Sequence, residues 1–392
     1  MVLETPVMPS TSFSRLSGTE VWLKAENLQR TGSFKIRGAM NALSLLPAET
    51  QQAGVAAASA GNHAQGVALA AAELGIAATV FMPETAAIPK IAATRGYGAT
   101  VRLAGADLAE AVDHANRYSE ETGAAFIHPY DDAHIIAGQG TLGLELAEQI
   151  PDLANVVVPV GGGGLISGIA VALGSLRPDV RVIGVQSAAV PTYVEARRSG
   201  HAKEIEVQTT VSDGIAVSRP SQLCFGLIEQ FVDDLVIVDD DHATESVALL
   251  LERAKLLVEP SGATTVAALL GGDLTLRPGP TVAVLSGGNI DLLLLDDLVR
   301  HGLATRGRFA SIGVLVPDQP GNLAAVLAKI GRAGGNILSV VHHREEMGVP
   351  FGKVEIRLTM ETRSSEHFEE ILDALDGYGV SIQPGVVSGS PG

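Results

Sequence analysis

Four short stretches hold residue types whose spacing could do chemistry. In Thr31-Gly32-Ser33-Phe34-Lys35-Ile36-Arg37-Gly38-Ala39, Ser33 can cap a helix, which places Lys35 in its first turn. A helix N-terminus and nearby Arg37 both disfavour an ammonium, so a lysine there gives up its proton more readily, as a Schiff-base lysine must. The plainer alternative is a solvated lysine beside a glycine turn. In Ser59-Ala60-Gly61-Asn62-His63-Ala64-Gln65-Gly66, small residues lead into a helical pattern whose first N–H groups would cradle an anion such as a carboxylate. Asn62 offers an amide donor and acceptor to a ring hydroxyl or an oxyanion. An ordinary strand–helix turn, capped by Ser59 and with His63 as a structural histidine, would use the same residues. Gly161-Gly162-Gly163-Gly164-Leu165 follows the apolar run Val156–Val160, so backbone N–H groups can converge on one phosphate with help from a helix dipole. No Lys-Ser/Thr pair follows, so it is not a P-loop, and Gln186 stands where a Rossmann fold wants an acid. Ser286-Gly287-Gly288-Asn289 follows Thr281–Leu285 and aims a hydroxyl from a strand end, which suits a heteroaromatic nitrogen; a simple glycine turn is the alternative. The turn Glu259-Pro260-Ser261-Gly262-Ala263 carries an acid next to a glycine, either behind the site or merely opening a helix.

Residues like these work only if elements deliver them to one place. Short aliphatic runs recur at Thr79–Met82, Thr100–Leu103, Val156–Val160, Val180–Val185, Leu235–Val238 and Thr281–Leu285, and helical patterns separate most of them. Val67, Ala70, Ala71 and Leu74 form one such helix face. Strands apolar on both faces and alternating with helices predict an α/β fold with parallel sheet covered on both sides, and ligands beyond the strands' carboxyl ends. After Asp297 the pattern changes. Residues 301–308 read as a basic, glycine-containing linker. Residues 309–384 read as βαββαβ, the ferredoxin-like order, with Ile312, Val314 and Val316 on the first strand and Val354, Ile356, Leu358 and Met360 alternating on a later one. The tail 385–392 is Ser, Gly and Pro with two valines and is expected to be disordered.

Composition removes whole classes of partner. With 27 Lys and Arg against 44 Asp and Glu, the net charge of −17 argues against nucleic acid or an anionic membrane as the main partner. Cys224 is the only cysteine, so there is no intrachain disulfide and no thiolate metal site. The Ala-rich stretch 54–82 is interrupted by Asn62, His63, Gln65 and Glu73, which argues for buried α/β structure rather than a membrane span. Residues 1–17 lack the basic and apolar regions of a signal peptide, and the expected location is cytoplasmic.

Together the four stretches ask for a cofactor with a phosphate, a ring hydroxyl, a ring nitrogen and an aldehyde, and pyridoxal 5'-phosphate has all four. Over residues 1–300 the chain resembles the serine/threonine dehydratases, fold-type-II pyridoxal-phosphate enzymes. The resemblance runs in order through Thr5-Pro6, Lys24-Ala25-Glu26-Asn27-Leu28-Gln29, Ser33–Ala39, Ser59–His63, Gly161–Leu165, Glu259-Pro260-Ser261-Gly262 and Ser286–Asn289. It implies two open, twisted parallel-sheet subdomains with the cofactor between them, the smaller one inserted over residues 38–138. It implies that Lys35 carries the cofactor as an imine and later takes the substrate Cα proton. Phe34 would pack on the ring, Asn62 would meet its hydroxyl and Ser286 its nitrogen. Gly161, Gly162, Gly163, Gly164 and Leu165 would hold the phosphate, and Ser59, Gly61, Asn62 and His63 the substrate carboxylate. A neutral Ser286 hydroxyl would favour elimination over racemisation. Serine racemases place a serine where this chain has Ala60, so racemisation should be weak. Metal-binding relatives place acids at and after the position of Gln186, and Gln186–Thr192 has none, so no metal is expected.

The C-terminal module resembles an ACT domain. Asp318, Pro320, Gly321, Asn322 and Leu323 match its strand–turn–helix motif, where an effector amino acid binds. The pairing implies a homodimer or homotetramer regulated by an amino acid, with isoleucine or valine as first choices. The expected reaction is β-elimination of L-threonine to 2-oxobutanoate and ammonia, with L-serine as the poorer substrate. Serine or 3-hydroxyaspartate dehydratase or racemase chemistry on the same fold is the alternative enzyme. An amino-acid sensor with a degenerate catalytic domain is the alternative without catalysis.

Overall fold

A computed structural model describes residues 2–272, 274–343 and 349–382. The chain forms two compact units that part between Asp291 and Leu292. The first holds two sheets. Strands β1 (Val7–Pro9) and β2 (Val21–Ala25) open the chain. β3 (Val55–Ala58), β4 (Ala78–Met82), β5 (Thr100–Leu103) and β6 (Ala125–Phe126) follow, and then β7 (Asn155–Pro159), β8 (Arg181–Ser187), β9 (Asp234–Val238) and β10 (Thr281–Leu285). The larger sheet runs β1-β2-β10-β7-β8-β9 and the smaller β5-β4-β3-β6. All pairings in both are parallel except β1 with β2. The expected α/β architecture with two parallel sheets is present.

The reason is visible in β7 and β10, which are buried along their whole length. Helices therefore cover both faces, and Ile136, Leu142 and Leu146 join Val156, Val158, Ile166, Ile169, Val282 and Val284 in one core. β7 begins one residue earlier than its apolar run because Asn155 is pinned there: its amide donates to Arg277 O (2.9 Å) and Thr281 Oγ1 (3.0 Å). β2 is not legible as a strand, since Lys24, its fourth residue, is a lysine that lies fully buried.

That lysine belongs to a buried charge network beneath the helix Lys35–Ser44. Lys24 donates to the Thr5 carbonyl (2.8 Å), to Gln149 (2.9 Å) and to Glu145. Arg37 reaches Glu26 with two bonds of 2.8 Å and Glu145 with two more. Thr5 Oγ1 donates to Glu26 Oε1, the oxygen that also accepts from Arg37 Nη2. Burial works against charge on Arg37, but Glu26 and then Glu145 outweigh it and hold its pKa above the ordinary guanidinium value. The network ties β2, the Glu26–Leu28 turn and the helix Ala133–Gln149 to the helix that starts with Lys35.

The second unit opens with a helix, Leu292–Thr305. The linker expected at 301–308 is therefore helical as far as Thr305. The helix runs through Gly302 because Leu298, Gly302 and Ala304 are buried along it, so the small side chain is packed rather than breaking the helix. An antiparallel sheet follows, built from β11 (Phe309–Pro317), β12 (Asn336–His343), β13 (Lys353–Glu361) and β14 (Gly379–Ile382) in the order β12-β13-β11-β14. Helices Asn322–Ala333 and Ser365–Ala374 supply Val326, Ile330, Phe368 and Ile371 to its core against Ile312, Val314, Ile356 and Leu358. The ferredoxin-like order is present. The tail expected to be disordered, 385–392, lies outside the described residues.

Removing one member of the buried network strands its partners. Arg37→Ala leaves Glu26 buried without its cation and is expected to cost roughly 3–5 kcal/mol of unfolding free energy, measured by urea denaturation. A loss below about 1 kcal/mol, the scale of an exposed pair, would contradict the network's role.

Candidate active site

Lys35 is the first residue of its helix, and its entry is fixed from behind. Ser33 forms a β-bridge with Gly287, and Phe34 N–H donates to Ser286 O (3.0 Å). Ser33, expected from sequence to cap the helix, does not cap it. Phe34 occupies the N-cap position without a side-chain bond, and Ser33 Oγ is buried with no partner among the described residues. The Lys35 amine donates to Pro129 O (2.9 Å) and stands 5.1 Å from the Phe34 ring centroid. Burial lowers its pKa from 10.5 to about 8, against the opposing pull of Glu259 and Cys224. The neutral amine is thus accessible near neutral pH. The cause is desolvation rather than Arg37, whose guanidinium faces Glu26 and Glu145.

Asn62 opens the helix Asn62–Leu74, with Gly61 as a cap that contributes no side chain. Its amide is oriented at both ends: Nδ2 donates to Glu259 Oε1 (2.8 Å), and Oδ1 accepts from Asn289 Nδ2 (2.7 Å). Asn289 is itself held by Thr31 O (2.7 Å). Ser59 accepts from Gly61 N–H (3.1 Å) instead of capping the helix. His63 is buried with Nε2 on Ile127 O (2.8 Å), and burial drives its pKa from 6.5 to about 3. It is a neutral imidazole that donates to a carbonyl, so any carboxylate beside it meets backbone N–H groups and not a cation.

Gly161–Gly164 joins β7 to the helix Gly164–Leu176, and Leu165 is buried behind it. The glycines are sterically required. A Cβ on Gly162 would lie 2.2 Å from the Tyr130 ring, one on Gly161 2.8 Å from Ile215 Cα, and one on Gly163 2.7 Å from Tyr193 Oη. Gly163 also has φ +87° and caps the helix without a side chain, so the first-turn N–H groups keep their donors for a ligand. Ser286 is buried just after β10. Beside it Gly287 admits Glu259, whose Oε1 would be 2.5 Å from a Cβ there.

Glu259 is the residue whose role the sequence left most open. Burial raises its pKa from 4.5 to about 8, Asp213 adds to the rise, and the Asn62 bond opposes it. At pH 7 it is mainly the neutral acid. The segment His128-Pro129-Tyr130, which holds the Lys35 amine and walls the glycine loop, was not found from sequence. Its one signal is a His-Pro pair one residue after the short β6. Gln186, at the strand end where an acid would bind a metal, is a structural amide: Oε1 accepts from Tyr193 and Val194 N–H (2.8 and 3.0 Å). Among the described residues no cluster of three or more His, Cys, Asp or Glu is placed to hold a metal, and no helix is long and apolar enough to cross a membrane.

In the second unit, Asp318, Pro320, Gly321, Asn322 and Leu323 form the turn between β11 and the helix Asn322–Ala333. Gly321 has φ +94° and open space at its Cβ position, and Asn322 Nδ2 donates to Pro317 O (2.9 Å).

A half-buried amine of lowered pKa, a glycine loop no side chain could share, and an oriented amide therefore lie within one unit. They fit a phosphate-bearing aldehyde cofactor. The description "Pyridoxal-phosphate dependent enzyme" fits residues 1–287, and "ACT domain" fits 310–379. L-threonine ammonia-lyase of Thermotoga maritima is 46% identical over 383 residues, which is 98% of this chain and 95% of that protein. The processed form of threonine deaminase isoform 2 from Solanum lycopersicum superposes with TM-score 0.73 at 35% identity, covering 76% of this chain and 82% of that one. Maize serine racemase superposes with TM-score 0.73 at 35% identity, covering 75% and 91%.

Glu259 makes stability depend on pH. The folded state keeps its proton up to about pH 8, while the unfolded chain releases it near 4.5, so the group's stabilisation is lost as pH rises across that interval. Glu259→Gln mimics the neutral acid. In cofactor-free protein, its unfolding free energy should gain on the wild type steadily from pH 4.5 to pH 8. A pH-independent difference between the two would contradict a protonated Glu259.

Proposed function

The chain belongs to the pyridoxal-phosphate dependent enzyme family and carries a C-terminal ACT domain, and we propose that it deaminates L-threonine to 2-oxobutanoate and ammonia under the control of an amino-acid effector. The observation that carries this reading is the Lys35 amine, half-buried and shifted to about 8, at a helix start and held by the carbonyl of Pro129, next to the Tyr130 that walls the glycine loop. Pyridoxal phosphate, when bound, supplies an aldehyde that condenses with amines and an electron sink that acidifies Cα of an amino acid.

The chain's own residues do the rest. Gly161–Gly164 offer uncapped N–H groups to the phosphate, with Leu165 anchoring the first turn of the helix. Asn62 offers its amide to the ring hydroxyl, Phe34 lies beside the amine as a ring-packing surface, and Ser286 presents an uncharged hydroxyl to the ring nitrogen. Ser59, Gly61, Asn62 and His63 open the second helix N-terminus, whose N–H groups suit the substrate carboxylate. Lys35 takes the Cα proton, for which an amine near pH 8 is better poised than one at 10.5. L-threonine loses its amine and β-hydroxyl, and one water returns, so no external oxidant or reductant is needed. A neutral Ser286 leaves the ring nitrogen largely unprotonated, which favours prompt elimination. Ala60 has no proton to give on the opposite face, which disfavours racemisation although serine racemases share the fold.

L-serine is the poorer substrate in this reading, and isoleucine or valine is the effector at Asp318–Leu323. The active form is a homodimer or homotetramer in the cytoplasm. A product assay decides: L-threonine should give 2-oxobutanoate faster than L-serine gives pyruvate, and isoleucine or valine should change the rate. Turnover of L-serine or 3-hydroxyaspartate with none of L-threonine would overturn the substrate assignment. An unchanged rate with every amino acid tested would overturn the regulatory one.

A further inference from the structure

The turn that receives the Lys35 amine is built by a histidine. Nδ1 of His128 accepts from the backbone N–H of Asp131 (2.8 Å) and of Tyr130 (3.3 Å), three and two residues on. This is the bonding of an Asx turn made with an imidazole. The same loop contains the ordinary version four residues later. There Asp132 Oδ1 accepts from His134 and Ile135 N–H (2.8 and 2.9 Å) and starts the helix Ala133–Gln149. Pro129, between the acceptor and its donors, has a fixed φ and no N–H, so the turn's free choice is where its carbonyl points. It points at Lys35 Nζ, 2.9 Å away.

We infer that His128 is a positioning residue: by accepting two backbone N–H groups it aims the Pro129 carbonyl at the Lys35 amine, and so sets where that amine stands when it takes the substrate Cα proton. The inference rests on the reaction proposed above. Three further observations support it. Two N–H donors on Nδ1 require that nitrogen to be unprotonated, and burial holds His128 toward the neutral form. The ring is clamped edge-on against Tyr130 (centroids 4.7 Å apart) and against Phe126 (6.2 Å). Tyr130 then joins the same turn to the rest of the site, since its ring fills the space over Gly162 and its hydroxyl donates to Arg219 O (3.1 Å). Asparagine is the side chain that reproduces the two accepted bonds without the imidazole, and alanine the one that abolishes them.

The experiment compares His128→Ala and His128→Asn with wild type in two arms. In the first, protein loaded with pyridoxal phosphate turns over L-threonine. His128→Ala should lower kcat roughly tenfold to a hundredfold, the scale of a misplaced catalytic group. KM and retained cofactor should be unchanged, and His128→Asn should restore most of the rate. In the second, cofactor-free protein is treated with acetic anhydride at pH 8 and the Lys35 peptide is followed by mass spectrometry. Loss of the carbonyl's hold on the ammonium should make Lys35 label faster in His128→Ala, but not in His128→Asn. A wild-type kcat in His128→Ala would overturn the inference. So would a loss of rate that His128→Asn does not repair, or a loss of cofactor with Lys35 labelling unchanged. The labelling arm needs no substrate. If wild type leaves L-threonine untouched, the proposed reaction fails, while the hold of the turn on Lys35 is still decided.

Discussion

A primary amine held out of water and still able to carry or shed a proton is the constraint around which the catalytic unit is arranged. Lys35 is half-buried, and an ammonium there has lost much of its hydration. It must therefore be given something in exchange, but not so much that its proton becomes fixed. A lone backbone carbonyl, Pro129 O, is a measured answer: it steadies the group in either protonation state without adding a full charge. The nearby acid, Glu259, is kept mainly neutral by its own burial, so it does not lock the lysine into an ion pair.

The full charges in this region are placed one layer lower. Arg37 is two residues from Lys35, and a helix carries positions two apart to different faces. That separation sends Arg37 to Glu26 and Glu145, with Lys24 sharing the latter, while the Lys35 amine reaches Pro129 O. The cost of burying four charges is offset by their mutual pairing and by Thr5 and Gln149, which satisfy remaining donors and acceptors. The pairing gives a helix start clamped to β2 and to the helix Ala133–Gln149, on which a catalytic side chain can be placed reproducibly. The His63 imidazole, neutral and tied to Ile127 O, similarly makes the second helix N-terminus firm without adding charge to it.

Much of this was legible in the residues. Fully apolar runs such as Thr281–Leu285 announced buried parallel strands, because only a sheet covered on both faces tolerates them. Strict alternation at Val354–Met360 announced a half-buried strand of the second unit. The glycine loop was readable because four successive residues without Cβ have few other uses between a strand and a helix. What failed to show follows a physical pattern. β2 hid because Lys24 is acceptable in a core only through Glu145, Gln149 and Thr5, contacts up to 125 positions away. Ser33 was misjudged as a cap because its backbone is claimed by Gly287, 254 positions on. Arg37 is close to Lys35 in sequence but not in its contacts, which go to Glu26 and Glu145, so adjacency along the chain says nothing of its effect on the Lys35 pKa. His128 and Pro129 stayed hidden because a carbonyl's direction has no letter in the sequence.

The central claim is that one amine of lowered pKa, that of Lys35, is the group that bonds the cofactor. Protein supplied with pyridoxal phosphate is reduced with borohydride, digested, and its peptides sequenced by mass spectrometry. A pyridoxyl group on the peptide bearing Lys35, and on no other lysine in comparable yield, is the result this account predicts. A well-folded, cofactor-supplied protein whose label lies on another lysine, or that takes no label, would contradict it.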